Sequence, residues 1–302
     1  MKFTVFKAAA IITITAWGVA AFAEGLFGST KATNVGGIMN TRHNLTQSYL
    51  GVNSAIMDTF RNNYGEICVY CHTPHGANTT VALPLWNRTI KSTTYSTYDK
   101  LGTSTLTQDV KHPGPNSLSC LSCHDGTVAI DSIINMPGSG KFDANQMTTQ
   151  NDSFLATWSD GAGRTAAPIH AGMNSGSTNC LLCHNISGSE PSIPTWGVAY
   201  IGTDLTNDHP VGIRFPPSGP GTDFNEPNKS QGAISFFDTD GNGHADSNNV
   251  RLYDSGAGFR VECASCHDPH GVPSNGAGSK NNPTFLRVAN TGSKLCLTCH
   301  VK

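Results

Sequence analysis

Charge is scarce in this chain. Charged side chains make up 13% of its 302 residues, about half the usual share of a globular domain. Basic and acidic groups nearly balance, at 19 and 21. Without a basic excess there is no electrostatic footprint for a nucleic acid partner. Long apolar runs are also missing beyond one, Ala8 to Phe22, which is shorter than the roughly 20 residues of a spanning helix. No membrane span is therefore expected. Few segments sustain a period of 3.6 or 2, which leaves little sign of an independent apolar core. Glycine, serine, threonine and asparagine fill the space, a composition that by itself resembles disorder.

No cysteine is spare. All ten fall in C-x-x-C pairs, and each pair is followed by histidine: Cys68-x-x-Cys71-His72, Cys120-x-x-Cys123-His124, Cys180-x-x-Cys183-His184, Cys263-x-x-Cys266-His267 and Cys296-x-x-Cys299-His300. C-x-x-C-H is the attachment sequence of c-type haem. Two sulfurs three residues apart reach the two vinyl groups of one porphyrin, and the next side chain lies beneath the iron. A lone C-x-x-C also suits half a zinc site, a redox dithiol or disulfides. With 12 histidines in 302 residues, five chance placements after five pairs have odds on the order of one in ten million. Five covalent haems are expected.

Lys2 and Lys7 precede the apolar run, which closes on Ala21-Phe22-Ala23. This is the pattern of a signal peptide over residues 1–23, and export is where bacterial c-type haem is attached. Its removal takes two of the 19 basic and none of the 21 acidic side chains, leaving net −4 on residues 24–302. A surface this weakly charged resists self-association poorly. The expected fold is a single multihaem cytochrome domain: irregular coil, short helices and few short strands wrapped around a stacked haem core. Helices are expected at each motif and over Ser54 to Asn62, strands over Val198 to Ile201 and Val250 to Tyr253, and cofactor-wrapping loop over Ile213 to Asn228.

The seven histidines outside the motifs are His43, His75, His112, His170, His209, His244 and His270. They outnumber five sixth positions on iron, so every iron can be closed by two histidines. Closed iron transfers single electrons and has nowhere to bind substrate; no enzyme activity is expected. His75 and His270 each stand three residues after a motif histidine, across a proline. From there an imidazole cannot reach the far face of its own porphyrin but can ligate a neighbouring one. The expectation puts His75 on the second haem and His270 on the fifth; a surface histidine after a proline turn is the alternative.

Arg42-His43-Asn-Leu-Thr, Cys68 to Gly76, Leu85-Trp86-Asn87, Cys120 to Thr127, Asn207-Asp208-His209-Pro210, Cys263 to Gly271 and Phe285 to Lys302 together resemble the OmcE-type extracellular cytochromes. That family's members are tetrahaem proteins that polymerise into conductive filaments. The resemblance implies distal ligands His43, His75, His209 and His270. It also implies that the Cys180 motif, within about residues 140–200, is an insertion with an extra haem. His170 is the expected ligand there, with His112 and Met173 as alternatives. In such filaments an axial histidine of one subunit can complete a haem of the next; His43 is the candidate, unless it folds back on its own chain.

Asp238, Asp240, Asn242, His244 and Asp246 fall at calcium-loop spacing, His244 offering only its carbonyl. Asn249 replaces the closing glutamate, so a weak calcium site and a metal-free acidic turn both stay open. The leading functional expectation is an extracellular, self-polymerising pentahaem conduit between electron donors and acceptors outside the cell. A soluble periplasmic carrier feeding a terminal reductase fits the same ligand inventory. A multihaem reductase would need an open iron, against which the histidine surplus argues.

Overall fold

A computed structural model describes residues 33–46, 64–135 and 200–302. The expected signal peptide, the expected helix over Ser54 to Asn62, and His170, Met173, Cys180, Cys183 and His184 lie outside the described residues. Within them the chain is mostly coil, with three short α-helices, several 3-10 turns and one small antiparallel sheet. Among the described residues no helix is long and apolar enough to cross a membrane.

Helical structure does gather at the motifs. Helix α1, Pro115–His124, starts with proline at its first turn, where the missing N–H costs nothing. Helix α2, Cys263–Cys266, is only four residues long and is held by a reciprocal capping box between Glu262 and Ser265. Helix α3 is Lys294–Cys299, and Cys68–Tyr70 forms a 3-10 turn.

The sheet has the order β1-β5-β4-β3-β2, where β1 is Ile213–Arg214, β2 Lys229–Gln231, β3 Ile234–Phe236, β4 Arg251–Asp254 and β5 Phe259–Val261. The strand expected at Val250 to Tyr253 is thus present, shifted by one residue. Two expectations are corrected. Ile213 and Arg214 leave the expected loop to pair with Val261 and Arg260. Tyr200 and Ile201 form no strand: the amides of Ile201 and Gly202 both donate to the carbonyl of His124, at 2.9 and 3.1 Å, and so cap α1.

Among the described residues, Tyr64, Val69, Tyr70 and Ile133 form one small apolar cluster and Tyr95, Leu121 and Leu205 another. Phe236, Leu252 and Val250 are buried at the sheet. Leu121, within the second motif and 0% exposed, ties α1 to its cluster. Leu121→Ala is expected to lower stability by about 2–5 kcal/mol. A shifted denaturant midpoint at unchanged slope would register the loss, and an unchanged midpoint would show that the cluster carries no weight.

Candidate haem-binding site

Two of the motifs are built as the same device. After Cys68 to Gly76 the chain returns as a strap over Pro84 to Asn87; after Cys263 to Gly271 it returns over Thr284 to Arg287. Trp86 bridges His72, and Leu286 bridges His267. The Asn87 amide donates to the Cys71 carbonyl at 2.9 Å, and the Arg287 amide to the Cys266 carbonyl at 2.8 Å. Asn87 Nδ2 reaches the Val69 carbonyl at 2.7 Å; Arg287 Nε reaches that of Ala264 at 2.9 Å. Each strap bends through a non-glycine residue with positive φ at the same position, Leu85 at 50° and Phe285 at 60°, and the second strap adds Thr284 at 52°, strained conformations. The strain aims a carbonyl at the motif histidine. His72 Nδ1 meets the Pro84 carbonyl at 2.9 Å, and His267 Nδ1 meets that of Thr284 at 2.7 Å.

Nδ1 anchoring recurs. His43 Nδ1 lies 2.8 Å from the Pro269 carbonyl, His209 Nδ1 3.2 Å from that of Pro210, and His270 Nδ1 2.9 Å from Asp268 Oδ1. An imidazole held this way donates from Nδ1 and presents the Nε2 lone pair, the arrangement of metal-bound histidine. His112 differs: both its nitrogens face carbonyls, Pro113 and Thr93, each at 3.0 Å.

Two anchored rings lie close to other imidazoles. His43 and His124 have ring centres 6.1 Å apart, and His72 and His270 have theirs 6.2 Å apart. A metal holding two imidazole nitrogens at about 2.0 Å each, with each nitrogen about 1.1 Å from its ring centre, sets the centres about 6.2 Å apart. The expected partners were different, His75 for the second motif and His270 for the fifth. His43 reaches His124 because it is stacked on Phe285 at 4.2 Å and tied to Pro269. His209 is the neighbour of His300, whose charge it feels. Among the described residues no imidazole faces His267, and His75 is exposed. Thr73 stands where the other module has Asp268, and its hydroxyl donates to the His75 carbonyl at 2.8 Å rather than holding the ring.

Protonation fits ligation. Burial lowers His43 to about 4 and also lowers His209 and His267, keeping neutral the imidazoles that would bind metal. His270 is raised by the Asp268 hydrogen bond, which makes it a more basic ligand. Burial pushes the Cys71 and Cys299 thiols up to about 12 and Cys266 to about 11. The Cys120 and Cys263 side chains are close neighbours, so the second and fourth motifs adjoin where α1 packs on α2. Glu262 joins their helices, accepting from the Gly114 amide and the Ser117 hydroxyl of α1. The buried Trp86 Nε1, edge-on to His72 at 5.9 Å, has no protein partner and is a donor for an acceptor that a bound group brings. The residues present therefore fit haem.

The acidic loop spends its oxygens on itself. Asp238 accepts from the Gly241 and Gly243 amides at 2.8 and 2.9 Å, and the Asn242 amide donates to both Asp240 and Asp246. The His244 amide donates to Asn242 Oδ1 at 2.7 Å. Among the described residues no group of three His, Cys, Asp or Glu side chains is placed to hold a metal ion.

Sequence reasoning missed the straps, Asp268, Glu262 and the buried arginines. A signal was present: Leu85-Trp86-Asn87 and Phe285-Leu286-Arg287 each follow a C-x-x-C-H-x-P-H-G segment. No curated protein matches the chain. Residues 257–302, spanning the last two motifs, match the family described as the doubled CXXCH motif. The motifs indicate covalently bound haem c and multihaem electron transfer of the c-type cytochrome kind, which implies export from the cytoplasm.

Proposed function

We propose that this chain is a pentahaem electron conduit, with histidine on both faces of each iron, whose copies join head to tail as a filament outside the cell. The observation that supports this reading is the pairing of imidazole rings at the centre-to-centre separation that two ligands of one iron would have, His43 with His124 and His72 with His270. Haem supplies reversible one-electron exchange at iron when bound. The chain supplies the thioether cysteines and the carbonyls of Pro84, Thr284 and Pro269 that fix the rings of His72, His267 and His43. Were histidines to hold each iron from both sides, substrate would have no site there, which favours conduction over catalysis.

The two modules support the polymer. Inside the chain, His72 of one module faces His270 of the other. The reciprocal contact, His267 with His75, is not made among the described residues. Repeating between copies the contact made within one joins modules end to end without closure, which gives an open helical polymer. Leu85 is 54% exposed, whereas its counterpart Phe285 is covered by His43, so the free module keeps an open apolar face. In this reading His75, not His43, completes a haem of the next subunit.

Electron microscopy and spin-state spectroscopy of His75→Ala test the reading. The expected result is loss of filaments, leaving single copies with one high-spin haem. Unchanged filaments with every haem low-spin would remove His75 from the joint. Wild-type material found only as dispersed single copies would instead favour a periplasmic carrier.

A further inference from the structure

Among the described residues three arginines are almost wholly shielded from solvent: Arg88 at 0%, Arg260 at 3% and Arg287 at 4% exposure. Two have acid partners. Arg260 pairs with Asp109 at 2.8 Å, and Arg287 with Asp268 at 3.1 Å. Arg88 has neutral acceptors: Ser122 Oγ at 3.2 Å, and the carbonyls of Ser122, Ile130 and Ala129 at 2.9, 2.8 and 3.0 Å. No carboxylate among the described residues forms an ion pair with it. Carbonyl dipoles solvate a buried cation without cancelling it, and in a low dielectric its field reaches further than in water.

The position of that charge is specific. Ser122 lies inside the second motif, immediately before Cys123. The preceding residue, Asn87, donates its amide to Cys71 of the first motif. Arg88 is therefore wedged between the two motifs, whereas the cation of the Cys263 motif, Arg287, is neutralised by Asp268.

Resting on the haem reading above, we infer that Arg88 sets reduction potential: its unneutralised buried charge favours the reduced form of the cofactors at Cys68–His72 and Cys120–His124. Taking up one electron, given by a neighbouring cofactor in the chain, lowers a cofactor's charge by one with no proton moved. A fixed positive charge stabilises that reduced state, and net local charge is one of the levers on haem potential. These two positions become the electron-holding stretch of the path, above the Cys263 position in potential.

Potentiometric titration of the holoprotein tests this, once peptide mass analysis has shown haem at each motif; haem missing there would refute the underlying reading, not the role of Arg88. Arg88→Gln removes the charge, and Ser122→Ala removes one acceptor while leaving it. The expected result for Arg88→Gln is at least a tenfold fall in the reduced-to-oxidised ratio at fixed potential, about 59 mV for one electron. Ser122→Ala should not lower the potential. Equal shifts in both variants, or none in either, would reduce Arg88 to a structural brace. If Arg88→Gln yields no holoprotein, nuclear magnetic resonance of partly reduced wild-type protein decides: the haems at Cys68 and Cys120 should reduce before that at Cys263, and the opposite order overturns the inference.

Discussion

A His43→Ala protein is expected to bind carbon monoxide when reduced, at about one molecule per chain, while the wild-type protein binds none. His43 is fixed by three contacts, its stack on Phe285, its Nδ1 bond to Pro269 and its approach to His124. Alanine keeps none of them. The other imidazoles whose charges reach it are His267 and His270, and each is held at its own Nδ1, His270 facing His72. Among the described residues neither of these rings is free to take its place, so one iron is expected to open and turn high-spin. An entirely low-spin, carbon monoxide-inert variant would show that His43 is not an axial ligand of its own chain.

The largest loss of stability is expected from Asp268→Ala. Burial pushes the Asp268 carboxyl up, but the His270 hydrogen bond and the Arg287 charge outweigh it and hold it below the usual carboxylate range. It is therefore ionised at neutral pH. Its oxygens accept from Arg287 Nη1, the His270 amide and His270 Nδ1. Removing it leaves Arg287 buried without a carboxylate partner, held by the Ala264 and Ser247 carbonyls beside Tyr253. Breaking such a buried pair costs about 3–5 kcal/mol, read as a lowered denaturant midpoint. A loss below about 1 kcal/mol would mean that the pair behaves like one on the surface. The same variant frees His270 Nδ1, so the haem spectrum should broaden even where the fold survives.

The contrast between these residues and the motifs explains what the sequence could reveal. C-x-x-C-H is local chemistry, and a motif needs little more than about one turn of helix, so its helices were legible at Pro115–His124, Cys263–Cys266 and Lys294–Cys299. Strands of two or three residues, such as Ile213–Arg214 and Phe259–Val261, are too short to display a period of 2. Ligand pairing was illegible for another reason. His75 and His270 share one spacing, and what separates them is Thr73 against Asp268, a difference that matters only once the bond to Nδ1 is known. Arginine reads as surface. Arg88 and Arg287 are interior because backbone carbonyls from distant segments converge on them, and no local pattern records that.

The Glu262 junction has a consequence for how the protein is made. Gly114 and Ser117 lie 148 and 145 residues before the carboxylate they bind, and Cys263 donates back to Ser117 at 2.8 Å. A chain that crosses a membrane from its N-terminus delivers Cys120 and Cys123 long before Glu262 arrives. Until then the first turn of α1 lacks its acceptor. Closure of the helix junction therefore waits on Glu262, and a truncation before residue 262 is expected to leave α1 without the carboxylate that ties it to α2.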